Sequence, residues 1–210
     1  MSLAPSLQGL IASLLVLSCC LSACERSTEE PRAQAFEPAA LSALMRELSR
    51  EASALGDEAS TERFKAERLS PLIASDEQLL KLLQPRGGAP SPVVQALMRR
   101  YRDQLAPRFL SEAPAVLAEA HRAGLRRVAV TRVGPSRGAQ NTPGDLKLLE
   151  ALPKRPPLYH VRYLPEQSPE LSPQALKGLR LNGFIYTRAG WRALFKLGES
   201  LESWRASDLE

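Results

Sequence analysis

The spacing of apolar residues changes once along this chain, near Gly124, from a helical period to an alternating one. That change constrains the fold more than any other feature. Before it, Leu41, Leu44, Met45, Leu48, Ala52 and Leu55 form a single stripe at i, i+3, i+4, i+7, i+11 and i+14, which predicts an amphipathic helix over 38–55. Pro38 suits its first turn and Gly56 the residue after its last. The segment 60–69 is mostly charged, with Phe64 and Leu69 as candidate core contacts. Ser75 with Gln78 three residues on predicts a capping box for a short helix over 76–84. Ser91-Pro92 opens the next helix with a cap and a first-turn proline. Its stripe is Val94, Leu97, Met98, Tyr101 and Leu105. Pro107 is expected to interrupt it, and Ser111 to open a further helix that ends at Gly124.

After Gly124, residues 128–133 read as a strand. Residues 134–144 read as a loop and 146–152 as a short helix capped by Asp145. Residues 158–164 alternate, with Tyr159, Val161 and Tyr163 on one face and His160 and Arg162 on the other. Residues 179–187 and 191–197 form a hairpin, its turn at Arg188-Ala189-Gly190 with Gly190 free to take a positive φ. Helices first and an antiparallel sheet last predict an α+β domain, the helices packing on the apolar face of the sheet. A parallel α/β sheet opened by 112–133 ranks second, because no further strand–helix–strand unit follows.

Upstream, residues 7–23 carry no charge and centre on Leu10, Ile11, Leu14, Leu15, Val16 and Leu17. This apolar run of about 15 residues is short of the roughly 20 that a helix needs to cross a bilayer. It has the length of the apolar region of an export signal, although MSLAPSLQG before it departs from the usual pattern in having no Lys or Arg. The run ends in Leu21-Ser22-Ala23-Cys24, which resembles the lipobox of bacterial lipoproteins at all four positions. The resemblance implies cleavage before Cys24, diacylglycerol on its sulfur and acylation of the new amino group. One acyl chain anchors reversibly, whereas two or more anchor stably at about 0.8 kcal/mol per buried CH₂. Glu25 after the lipid-bearing residue, where a retention signal would be Asp, implies the outer membrane facing the periplasm. The expected organisation is a signal peptide over 1–23, a polar flexible tether over 24–37 and a single domain over 38–205.

The three cysteines are Cys19, Cys20 and Cys24. The first two leave with the signal and the third carries lipid, so no disulfide holds the mature body. Charge is uneven: residues 24–90 carry 9 Lys and Arg against 12 Asp and Glu, and residues 91–210 carry 19 against 11. Outside the cytoplasm a basic half favours anionic envelope polymers, lipid headgroups or an envelope protein as partner, not nucleic acid.

The hairpin GFIYTRAGWRALFKL also resembles the closing strands of cystatin-like and NTF2-like domains, in which helices pack into a curved sheet. That resemblance implies a concave ligand pocket and assigns no residue roles.

Gly134-Pro135-Ser136-Arg137-Gly138 spells G-x-S-x-G after a strand, and Asp145 and His160 follow in the order of the α/β-hydrolases. Its context does not fit. No helix follows Ser136, Pro135 restricts the strained turn, and Asp145 and His160 come too early for the remaining strands. We therefore read Ser136, Asp145 and His160 as a surface loop and its neighbours, and the protein as a non-enzyme. Two histidines, His121 and His160, give no metal site, and no motif calls for a cofactor. If Tyr159, Val161, Tyr163, Trp191 and Phe195 face the core, then His160, Arg162, Arg180, Arg192 and Lys196 share the opposite face. Such a face holds phosphate or carboxylate groups well, because Arg makes paired hydrogen bonds to them. The plainer reading is a solvated outer face, the usual state of an antiparallel sheet covered on one side.

Overall fold

A computed structural model describes residues 29–84, 88–134, 141–166 and 179–201. The chain divides into two compact units, residues 1–39 and residues 40–210. The described part of the first is the opening of helix α1, Glu29–Ser53. The helix therefore begins well before the expected start and takes in residues expected to form the tether. Pro38 lies inside it rather than in its first turn.

Among the described residues five further α-helices follow: α2 (Glu58–Phe64), α3 (Asp76–Leu83), α4 (Pro92–Arg100), α5 (Ala106–Arg122) and α6 (Pro143–Ala151). The sequence signals at several ends are realised. Asp57 caps α2 and Ser75 caps α3, each in a capping box, and Ser91 caps α4 ahead of Pro92. Two expectations are corrected. Pro107 does not break the chain between α4 and α5. A π-turn at Tyr101–Leu105 joins them, and Pro107 enters at the start of α5. The wide turn takes up the geometry that a proline without an N–H and with a bulky ring forces on the preceding turn. Secondly, Asp145 is not the cap of α6. Thr142 is, and Asp145 is its reciprocal partner three residues on.

The strands are β1 (Arg127–Arg132), β2 (Leu158–Leu164), β3 (Leu179–Thr187) and β4 (Gly190–Ala193). They form one antiparallel sheet in the order β1-β2-β3-β4, so the fold is α+β and the parallel alternative is set aside. Gly190 takes φ +99° in the hairpin turn.

The sheet is covered on both faces, which corrects the expected solvated outer face. On one face Tyr159, Val161, Tyr163, Phe184, Trp191 and Ala193 meet the α1 stripe of Leu41, Met45, Leu48 and Ala52 and the α5 stripe of Phe109, Ala113, Leu117 and Ala120. On the other, Leu158 and Ile185 meet apolar residues of α3, α4 and α6. Two tyrosines tie the layers together with buried hydroxyls. Tyr163 donates to the Met45 carbonyl at 2.7 Å, and Tyr101 donates to the Ala193 carbonyl at 2.6 Å while accepting from Ala74 N–H at 3.0 Å.

β4 is shorter than the alternation suggested. The chain turns at Leu194, and Phe195 adopts φ +48°. Gly183 makes room for that turn. It sits at φ +79° beside the point where the β2–β3 register shifts, and a Cβ there would lie 2.7 Å from the Phe195 carbonyl oxygen. Phe195 and Leu197 therefore part company: one packs against the first core and the other belongs to the second.

Candidate functional site

The register places His160 and Arg162 of β2 on the face shared by Leu158 and Ile185. Arg180 lies opposite Arg162, and Arg192 opposite Ile185. The register thus puts four of the five grouped residues, all but Lys196, on one side of the sheet. It is not an open anion-binding face. His160 is 6% exposed, because α6 folds over this end of the sheet. Arg192 is taken up by structure: its Nε donates to Gln78 Oε1 at 2.8 Å and its Nη1 to the Trp191 carbonyl at 2.7 Å. Lys196 is not on a strand at all. It lies in the 3₁₀ turn Phe195–Leu197, exposed, beyond the point where β4 ends.

The centre of this face is Asp145. Its Oδ2 accepts from the backbone N–H of Thr142 at 2.8 Å, from His160 Nε2 at 3.0 Å and from Arg180 Nη2 at 3.4 Å. Burial pushes the carboxyl upward, but the hydrogen bonds from His160 and Thr142 outweigh it and hold Asp145 below the usual carboxylate range. Burial lowers Arg180, opposed by the Asp145 charge and reinforced by Arg162. His160 Nδ1 faces the N–H of Gly183 at 3.4 Å. Nδ1 is then the acceptor, and the ring proton lies on Nε2, aimed at Asp145.

Both ring nitrogens of His160 are thus engaged by the fold. An imidazole in this state has no nitrogen left to take a proton from a hydroxyl, the task of a general base. Of the three residues in hydrolase order, Asp145 and His160 are brought together, while Ser136 lies outside the described residues. So does Cys24. His121 is half-buried on α5. Among the described residues no group of three or more His, Cys, Asp or Glu is arranged to hold a metal ion. No described helix is long and apolar enough to cross a membrane.

A cleft of about 250 Å³ opens between α5 and the first half of β3. Phe109, Val116, Leu179 and Leu181 give it an apolar lining, and Arg108, Arg180 and Lys196 stand on it with a single acid, Glu112. Phe195 lines it too, its ring centroid 3.9 Å from that of Phe109. Arg180 is therefore shared. One side of it serves Asp145, and the residue also lines the cleft. The cleft was not legible in the sequence, because it depends on the reversal of the chain at Leu194, which brings Phe195 and Lys196 back against α5. The one available signal was Val116, an apolar residue on α5 that is only half-buried in the folded chain.

Comparison with protein-family models, with curated proteins and with solved structures finds no match to this chain.

Proposed function

We propose that this chain is a lipid-anchored protein of the bacterial envelope, held by acylated Cys24 in the outer membrane facing the periplasm, whose folded domain binds a ligand without transforming it. The lipobox-like Leu21-Ser22-Ala23-Cys24 supports the anchor. The observation that carries the binding role is the cleft between α5 and β3, apolar inside and predominantly basic at its edge. It has the features of small-molecule sites, mostly apolar with a few polar groups. This favours a small-ligand pocket over a purely scaffolding role. The serine-hydrolase alternative has an Asp145–His160 contact in its favour, but the engaged nitrogens of His160 argue against it.

Two measurements test the proposal. Metabolic labelling with a radioactive fatty acid should mark the wild-type chain and not Cys24→Ser. A mature N-terminus at any other residue overturns the anchor. The mature chain should gain thermal stability with an extract of envelope small molecules and lipids, since any ligand that prefers the folded state raises Tm. No shift with any such extract overturns the binding role, and labelling by an activity-based serine probe overturns its non-catalytic character.

A further inference from the structure

Resting on the proposed lipid anchor, which brings the domain to a bilayer, we infer that one end of the sheet is seated on anionic lipid headgroups through Arg132, Lys154, Arg155 and Arg188. The register gathers these residues. Arg132 closes β1 opposite Tyr159, and β2 begins one residue earlier, at Leu158. Lys154 and Arg155 stand in the connection from α6 that enters β2 there. Leu158 pairs with Ile185 of β3, and Arg188 follows in the turn that Thr187 and Gly190 close. The chain connections 132–134, 152–157 and 187–190 thus lie at one end of the sheet, and together they carry four cations and no acid. The nearest acid along the chain is Glu150, in the last turn of α6.

Elsewhere on the described surface exposed cations are often neutralised at close range. Lys81 Nζ lies 2.6 Å from Glu77, Arg108 Nε 2.8 Å from Glu112 and Arg122 Nη2 3.2 Å from Glu119. Arg132, Lys154, Arg155 and Arg188 are all exposed, and none makes an ion pair among the described residues. Their presentation is also constrained. Pro153, Pro156 and Pro157 bracket Lys154 and Arg155 and fix the backbone on either side. Arg155 N–H donates to the Leu152 carbonyl at 2.8 Å, and Arg155 holds φ +41°. That conformation costs any residue with a Cβ, so the fold keeps a long cation where glycine would sit freely.

Tyr186 adds an aromatic edge. It is 48% exposed on the same hairpin, its ring against Trp191 at 5.1 Å. A bilayer suits this combination. Its plane of phosphates meets several separated cations at once, Lys and Arg stems reach into the headgroup layer, and tyrosine favours the membrane interface.

The test uses residues 24–210 with Cys24→Ser, so that no acyl chain of its own carries the protein to a vesicle. It is sedimented with vesicles of phosphatidylcholine and with vesicles of equal parts phosphatidylcholine and phosphatidylglycerol. Binding should require phosphatidylglycerol. It should fall as salt rises from ~0.1 to ~1 M and the screening length shortens from about 10 to about 3 Å. Arg132→Gln should weaken it roughly fivefold, the worth of one basic residue at an anionic surface, and Lys154→Gln with Arg155→Gln roughly twenty-five-fold. Arg126→Gln removes the same charge from an exposed residue at the opposite end of β1, and should change binding by less than about twofold. Tyr186→Ala should weaken binding severalfold and leave its salt dependence in place. The charged positions are exposed, so these variants should keep wild-type stability, which urea unfolding checks.

Equal losses in Arg126→Gln and Arg132→Gln overturn the location. Equal binding to the two kinds of vesicle overturns the anionic surface. Tighter binding, per phosphate, to soluble polyphosphate than to vesicles overturns the bilayer as partner. If fatty acid labels Cys24 in cells and the unlipidated chain ignores phosphatidylglycerol, the inference fails while the anchor stands.

Discussion

The hydroxyl of Tyr101, at the head of the π-turn, donates to the carbonyl of Ala193, the last residue of the edge strand, at 2.6 Å. The same oxygen accepts from Ala74 N–H at 3.0 Å. One buried atom thus holds the α4–α5 joint, the loop before α3 and the sheet edge together. Tyr101→Phe keeps the ring and removes both bonds, leaving a buried N–H and a buried carbonyl unpaired. The expected cost is about 2–4 kcal/mol in urea unfolding. A loss below about 0.5 kcal/mol would show that the hydroxyl is dispensable.

The same tyrosine sets an alkaline limit. Burial raises its pKa from 10.0 to about 12. The folded state therefore keeps the phenolic proton at pH values where the unfolded chain has lost it. The stability this contributes is fully present below pH 10, and it is lost as pH rises from 10 towards 12. Wild type should lose stability steeply over that window, and Tyr101→Phe should lose less. Equal slopes for the two chains would refute the assignment.

Asp145 sets the corresponding acid limit. Its folded pKa is lowered from 3.8: burial acts against ionisation, and the hydrogen bonds from His160 and Thr142 overcome it. Its contribution is present above the ordinary carboxylate range and is lost as pH falls through the lowered value. Asp145→Asn should cost about 2–4 kcal/mol at neutral pH, since it leaves a half-buried Arg180 without its anion and takes the charge from the oxygen that His160 faces. The difference between the two chains should shrink below pH 4. A difference that stays constant with pH would mean that packing, not charge, carries the effect.

Much of the local architecture could be read from residues that act on their immediate neighbours. Ser75 and Gln78 announce a capping box by their spacing, and the structure forms it. Tyr159, Val161 and Tyr163 alternate, and they share a core face. What stayed hidden depended on distant partners. Leu158 and His160 read as half of a two-faced strand, yet both are buried, Leu158 in one cluster with Leu148 of α6 and His160 against Asp145 of the same helix, and nothing in 158–164 encodes that helix. Trp191 to Leu197 alternates well enough for a long strand. It is cut short by a glycine in another strand, Gly183, which admits the Phe195 backbone. The Asp145–His160–Arg180 cluster joins α6 to two strands, so it depends both on sheet register and on where that helix packs. The cleft is emptier still of signal, since its position depends on where α5 and β3 fail to meet.

Gly198 supplies a test of how α6 is seated. A Cβ at this position would overlap the carbonyl oxygen of Gly144, in the first turn of α6, and would crowd Asp145 N. Both neighbours are backbone atoms and cannot swing aside. Gly198→Ala should therefore cost about 2–4 kcal/mol as an overpacking change. Gly56→Ala, with nothing within 4 Å of the added methyl, should stay within about 0.5 kcal/mol of wild type. Equal stability of the two variants would mean that the 3₁₀ turns after β4 do not press on α6.

Trp191 tests the facing of the hairpin. It is 7% exposed, and its ring meets Tyr159 edge-on at 5.6 Å and Tyr186 at 5.1 Å. The residue thus closes the core at the sheet edge, between a buried tyrosine and an exposed one. Truncation leaves a large cavity beside Tyr159, so Trp191→Ala should cost roughly 3–5 kcal/mol by denaturant unfolding. Tyr186→Ala removes the outer ring alone and should cost no more than about 1.5 kcal/mol, the worth of an aromatic pair. If Tyr186→Ala proved the more damaging of the two, the two rings would have exchanged places, and the face of β3 and β4 assigned to the core would be the wrong one.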